Sequence, residues 1–295
     1  MDLTATMARS ITRASSVQTY YTVRLLVDRD LQDDCYRAYA YFRWADDIID
    51  VAAQSDDDRI SFISRQRDLI DRLYRNERPD GLSLEEQIIA DLISHDRDNE
   101  ETSGLRSFIY NFLAVIEFDA YRKGRSINQQ ELTWYSDCLG KAVTDCIQYF
   151  IGHGHPYPAA DNQYVAASAA HITHMLRDMV PDVAEGFINI PRDYLEAHAI
   201  GAGDVDSPPF RTWVRSRVEL ARRYLREGKC YLDGLKVLRC KIAGYWYCAR
   251  FEGVLDTIER DGYILRAEYN ERRKRSTWLK MARLAVVITL RHIAG

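Results

Sequence analysis

Arg43-Trp44-Ala45-Asp46-Asp47-Ile48-Ile49-Asp50 closes an apolar, aromatic-rich run. On a helix, Asp46 and Asp50 share one face and Arg43 lies one turn earlier. Two carboxylates one turn apart repel each other, and apolar surroundings raise that cost unless a cation sits between them. Oxygen-only ligation suits Mg²⁺, which keeps waters and bridges carboxylates to a substrate phosphate. A second acidic helix is needed to complete such a site.

Upstream, Tyr20, Tyr21, Leu25, Leu26, Tyr36, Tyr39, Ala40 and Phe42 recur at helical spacing and predict two helices over residues 18–50 with a break at 27–34. Residues 1–16, polar and small, read as a frayed start. Downstream, the pattern predicts helices over 60–74, 84–94, 108–123 and from about 128 to Phe150, with Arg78-Pro79-Asp80-Gly81 as a turn. Gly152-His153-Gly154-His155-Pro156-Tyr157-Pro158 is the strongest break. No linker-like composition follows it, so the chain reads as one domain, 1–295. Further helices are expected over 165–180, 212–227, 231–259 (with Gly244 as its candidate break) and from Arg272. Few runs alternate with period two, which makes the fold an all-α bundle.

Composition narrows the class. The 295 residues are 46% hydrophobic and 28% charged, with a net charge of −4. That is ordinary for a globular chain and lacks the basic face of a nucleic-acid binder. Six cysteines show neither a C-x-x-C pair nor zinc spacing and read as reduced core thiols of a cytoplasmic protein. No run is long enough to span a membrane, and the N-terminus lacks a signal-peptide core.

The second acidic helix is His171-Ile172-Thr173-His174-Met175-Leu176-Arg177-Asp178-Met179-Val180-Pro181-Asp182. His174, Asp178 and Asp182 recur every four residues and line one stripe of an unbroken helix. Two such stripes facing across a bundle would hold a trio of Mg²⁺ ions and a diphosphate, with Arg43 and Arg177 neutralising phosphate oxygens. Ionisation of an allylic diphosphate needs this arrangement: metal takes the leaving group and an aromatic pocket tolerates the carbocation.

Tyr20-Tyr21 through Asp46-Asp47-Ile48-Ile49-Asp50, and later Met175-Leu176-Arg177-Asp178 with Asp182, resemble the squalene/phytoene synthase family. Glu117-Phe118-Asp119 with Glu131 and Tyr135 resembles its middle segment, and 245–266 its tail. The resemblance implies an all-α, class I isoprenoid synthase-like bundle around a central cavity. It implies condensation of two farnesyl or geranylgeranyl diphosphates head to head. It assigns Asp46, Asp50, Asp178 and Asp182 as Mg²⁺–diphosphate ligands, Arg43 and Arg177 as phosphate contacts, and Tyr135 as a pocket residue near the reacting carbons. Tyr21, Asp119 and Arg266 fall with the substrate, Arg266 as an approximate counterpart of the family's arginine.

Departures accompany it. His174 replaces an asparagine, and imidazole suits Mg²⁺ less well than oxygen. Pro181 is expected to kink or end the helix and turn Asp182 off the stripe. Gly186-Phe187-Ile188-Asn189-Ile190-Pro191 loses an arginine, for which Arg24, Arg122 or Arg125 are candidate replacements. Leu139-Gly140-Lys141-Ala142-Val143-Thr144 puts bulk where a small-residue run is usual, and Phe251 replaces a tyrosine.

Two other readings stand beside the first. A single-substrate terpene cyclase or prenyl-diphosphate hydrolase would use His171 or His174 as a base, although the same histidines also read as an inert hydrogen-bonded cluster. A non-catalytic prenyl-lipid-binding homologue is motivated by Pro181. No nucleotide-binding glycine motif is present, so NADPH is not expected. Arg272-Arg273-Lys274-Arg275 before 278–288 reads either as an interfacial helix touching anionic lipid or as a packed terminal helix with a solvated basic end. The oligomeric state is not legible.

Overall fold

Apolar residues recurring every three to four positions set most of these helices, and a serine caps several of their N-termini. The computed structural model describes residues 2–53, 55–96, 102–269 and 275–294, and among these there is no strand, only an isolated parallel bridge between Ser126 and Ile188. The helices pack into two compact units, one of Met1–Tyr121 with Asp145–His155, the other of Arg122–Thr144 with Pro156–Gly295.

The first unit contains α1 (Leu3–Ser15), α2 (Val17–Leu26), a 3₁₀ turn (Arg29–Leu31), α3 (Gln32–Asp47), a π turn (Ile48–Ala52), α4 (Asp56–Tyr74), α5 (Leu84–Ser94) and most of α6 (Gly104–Arg122). Ser16 and Ser55 cap α2 and α4, and Ser83 with Glu86 forms a reciprocal capping box at α5. The start of the chain is not frayed. Asp2 caps α1 by accepting from the Ala5 N–H at 3.0 Å, and α1 buries Thr4, Ala5, Ala8 and Thr12. Arg37 of α3, only 2% exposed, pairs with both Asp2 and Asp34 and donates to Thr4 Oγ1 at 3.1 Å. α3 buries Tyr36, Ala38, Ala40, Tyr41, Phe42 and Ala45 and packs on α1 and α5. Its polar anchor is a relay: Tyr41 Oη donates to Gln66 at 2.9 Å, and Gln66 donates to Glu86 at 3.1 Å.

The second unit is built on α8 (Val165–Ala184), against which α10 (Pro208–Asp233) and α11 (Leu238–Arg260) pack. It also holds the start of α7 (Gln129–Phe150), α9 (Arg192–His198) and α12 (Arg275–Ala294). α8 and α10 meet at Gly228, where a Cβ would lie 2.4 Å from that of Ala166. Two expectations are corrected. Pro181 does not end α8, which continues to Ala184, because the proline falls in the last turn and only one intrahelical bond is lost. Gly244 does not break α11; the interruption falls at 234–237, and Gly244 instead lets the helix approach the Leu232 side chain. The 272–274 part of the basic run lies outside the described residues.

Candidate functional site

In the first unit, α-helical bonding stops at Asp47. Ile48–Ala52 then forms one π turn, in which the Ala53 N–H reaches the Ile48 carbonyl at 2.9 Å. Such turns shift the register of the residues beyond them and occur mostly at functional positions. Asp50 lies in this turn, half-buried, and Ile49 beside it is buried. Arg43 divides itself between Asp47, at 3.2 Å from Nε, and Asp46, at 3.3 Å from Nη1.

Asp46 is pushed up to about 7, first by burial and then by the Asp50 charge, with Asp119 and Asp47 adding and Arg43 opposing. Its side chain is nonetheless 39% exposed, so solvent reaches one side of a carboxylate crowded on the other. The fold thus brings Asp46, Asp50 and Asp119 within electrostatic reach. Glu117, two residues earlier, is instead paired with Arg67. Tyr21 of α2 is 39% exposed, its ring edge-on to Tyr20 at 5.4 Å.

In the second unit, α8 carries His171, His174, Arg177, Asp178 and Asp182. Asp178 is bound on both sides: Arg177 donates from Nε at 2.5 Å and His174 Nε2 lies 3.0 Å away. Burial raises the Asp178 pKa, but these two partners outweigh it and hold the group at about 2. His174 is lowered, mainly by burial and against the pull of Asp178. His171 is lowered well below its ordinary value by burial, with His174, Arg122 and Arg217 adding. Both imidazoles are therefore neutral near pH 7. His171 Nε2 and Arg177 Nη1 are buried without a hydrogen-bond partner among the described residues.

Asp182 is held from outside its helix. Asn189 Nδ2 donates to Asp182 Oδ2 at 3.1 Å, and Arg122 Nη1 donates to Asn189 Oδ1 at 2.9 Å. The Arg122 guanidinium, 3% exposed, lies over the Tyr135 ring at 4.9 Å and the Phe187 ring at 5.3 Å. Tyr135 in turn meets His171 at 5.0 Å between ring centroids. Backbone geometry brings these residues together. The Gly124 N–H donates to the Gly186 carbonyl at 2.8 Å, and Gly186, at φ 93°, has no room for a side chain because a Cβ would come within 3.2 Å of Gly124 N. Arg266 pairs with Asp261, at 2.8 Å from Nη2. Sequence spacing carries no trace of Asn189, and among the three candidate cations Arg122 is the one buried beside the substituted Phe187.

The donor set suits a hard divalent cation. Among the described residues no three His, Cys, Asp or Glu side chains converge to hold a metal unaided. Mg²⁺ does not require this, because it takes one or two carboxylates and completes its shell with water and phosphate oxygens. A carboxylate whose proton affinity is raised by burial and then by acidic neighbours is the kind of group that binds such a cation, and the orphaned Arg177 nitrogen suits an anionic oxygen.

A family model described as squalene/phytoene synthase matches residues 12–281. A phytoene synthase of Thermus thermophilus is 31% identical over 99 residues, a match covering 32% of this chain and 34% of that protein. The chain thus matches about a third of the curated relative's length. Two solved structures share the fold. Squalene synthase HpnC from Alicyclobacillus acidocaldarius superposes with a TM-score of 0.68 at 20% identity, covering 89% of this chain and 95% of the other. A dehydrosqualene synthase superposes with a TM-score of 0.72 at 13% identity, covering 99% and 97%.

Proposed function

Because the chain belongs to the squalene/phytoene synthase family, we propose that it is a Mg²⁺-dependent prenyltransferase that condenses two farnesyl or geranylgeranyl diphosphates head to head. The observation that carries this reading is the Asp46–Asp50–Asp119 group. Burial, and after it the charges of Asp50 and Asp119, push Asp46 up to about 7, and a divalent cation would relieve both costs.

Asp46 and Asp50 in the first unit, and Asp178 and Asp182 in the second, would ligate Mg²⁺, with His174 a poorer donor beside them. The metal, when bound, supplies Lewis-acid stabilisation of the departing diphosphate. Arg43 and Arg177 would each add positive charge toward phosphate oxygens. The allylic C1–O bond of the first substrate breaks and diphosphate leaves with the electron pair. The double bond of the second substrate captures the cation, and loss of a proton closes a cyclopropane. Tyr135, 7% exposed with its hydroxyl on an aromatic body, supplies a π face suited to the cationic carbon.

One observation favours a second reading. His171 and His174 are neutral bases on α8, as a single-substrate cyclase or diphosphate hydrolase needs for its final deprotonation or water activation. Pro181 does not end α8, so of the two features that suggest a non-catalytic homologue, the proline and the missing glutamate before Asp182, the glutamate remains. Purified protein is incubated with Mg²⁺ and each of the C10, C15 and C20 diphosphates, and released diphosphate and extracted products are measured. A hydrocarbon or cyclopropyl diphosphate of doubled chain length is expected. A product of single chain length selects the second reading, and no release by folded protein rejects both.

A further inference from the structure

We propose that Arg122 and Asn189 are positioning residues that aim the Asp182 carboxylate at its metal; this rests on Asp182 being a Mg²⁺ ligand, as proposed above. Pro181, immediately before Asp182, removes one backbone bond from the last turn of α8. The compensation comes from outside the helix, from Asn189 seven residues on and from Arg122 of α6. Asn189 is 2% exposed and Arg122 3% exposed, so neither exchanges its partners for water.

The direction of the relay follows from donor chemistry. A guanidinium has donors only, so the Asn189 amide must turn its oxygen to Arg122. That turns its NH₂ group to Asp182, an acceptor whenever it is ionised. The amide cannot flip without setting two donors against each other at one end and two acceptors at the other. Arg122 is itself fixed between the Tyr135 and Phe187 rings, which a planar cation fits and a lysine ammonium fits less well. Asp182 is therefore oriented by a neutral amide and Asp178 by Arg177 and His174, two differently supported carboxylates on one helix. Groups that orient a metal's ligands commonly change its affinity about 10–100-fold when removed.

The test uses the full-length protein with Mn²⁺ and inorganic pyrophosphate, free Mn²⁺ being read by electron paramagnetic resonance. Asn189→Leu and Arg122→Met are expected to weaken Mn²⁺ binding about tenfold or more, and Arg122→Lys to recover part of the loss. In turnover assays the half-saturating Mg²⁺ concentration should rise in parallel, with a smaller loss of kcat at saturating metal. Should Asn189→Leu fail to fold, Asn189→Ser, which stays polar but cannot span the gap, carries the same expectation. Wild-type metal affinity in a folded Asn189 variant overturns the positioning role. Absence of Mn²⁺ binding in the wild type overturns the metal reading, and this inference with it.

Discussion

Asp50 lies inside the π turn that follows the helix of Asp46, and its charge opposes the ionisation of Asp46, which burial already disfavours. Without metal this is a defect in the fold. The folded state holds the Asp46 proton up to about pH 7, whereas the unfolded chain releases it near the ordinary 3.8, so stability falls as pH rises through that window. Asp46→Asn should therefore stabilise the metal-free protein at pH 8, by on the order of 1 kcal/mol after discounting for solvent screening, and change nothing below pH 4. If the proposed function holds, the same substitution should reduce Mg²⁺-dependent turnover by about 10³-fold or more, since it would remove a ligand of the leaving group's metal. Chemical denaturation at the two pH values and an assay of diphosphate release check both halves.

His174 gives a cleaner separation of the two catalytic readings. Its Nε2 lies 3.0 Å from Asp178 Oδ2, but Arg177 grips the same carboxylate, so loss of the imidazole leaves Asp178 paired. His174→Asn restores an oxygen donor. It should keep the condensing activity within about tenfold, with unchanged or tighter Mg²⁺ dependence. A complete loss of turnover would instead mark His174 as a required base.

The helices were legible because their signals are local. α5 runs over Leu84–Ser94 as its Ser83/Glu86 capping box dictates, and the break before α3 falls where the apolar spacing lapses. α1 escaped because its buried stripe is made of Thr4, Ala5, Ala8 and Thr12, too small and polar to register as a hydrophobic face. Its stability comes from Arg37, thirty-five residues from Asp2. Arg122 shows the same limit at the site. An arginine at the end of α6 reads as solvated, and only the Gly124–Gly186 pairing brings Asn189 and Phe187 to bury it. The π turn at Ile48 has no sequence signature at all.

Glu86 should make the fold acid-sensitive. Hydrogen bonds from Arg65 outweigh burial and, with the Ser83 N–H and Gln66, hold its carboxyl at about 2, below the ordinary 4.5. A depressed carboxyl stabilises the fold fully above 4.5, and the contribution drains away as pH falls toward 2. With Glu86 3% exposed, on the order of 2 kcal/mol is at stake. Glu86→Gln should lower the unfolding free energy at pH 7 by roughly that amount and flatten its decline between pH 4.5 and 2, as urea titrations across this range would report.

Gly228 sets the contact of α10 with α8. A methyl group there would fall 2.7 Å from the Ala166 backbone nitrogen, which no side-chain rotation relieves. Gly228→Ala should cost about 2 kcal/mol and, by displacing the helix that carries Asp178 and Asp182, weaken metal dependence as well. Gly253→Ala on α11, where a Cβ meets nothing within 4 Å, is the matched control and should be neutral or slightly stabilising.

The exposed side of α12 predicts contact with a lipid surface. Met281 and Ile288 bury one face of the helix, and the Trp246 indole pins it by donating to the Met281 carbonyl at 2.9 Å. Val286, Leu290 and Ile293, at 60%, 63% and 76% exposure, form a line at helical spacing, with exposed Arg283 and Arg291 nearby. No described helix is long and apolar enough to cross a membrane. Apolar anchors beside arginines favour anionic headgroups, each nearby cation contributing about 1 kcal/mol at low salt. The hydrocarbon product of the proposed reaction would also need an apolar phase to enter. Vesicles containing phosphatidylglycerol should sediment the protein, and uncharged phosphatidylcholine vesicles should do so weakly. Leu290→Asp should lower partitioning about tenfold or more, added salt should weaken it progressively, and turnover of a soluble short-chain diphosphate should be unchanged. Equal partitioning of the wild type and Leu290→Asp would exclude this face as the contact.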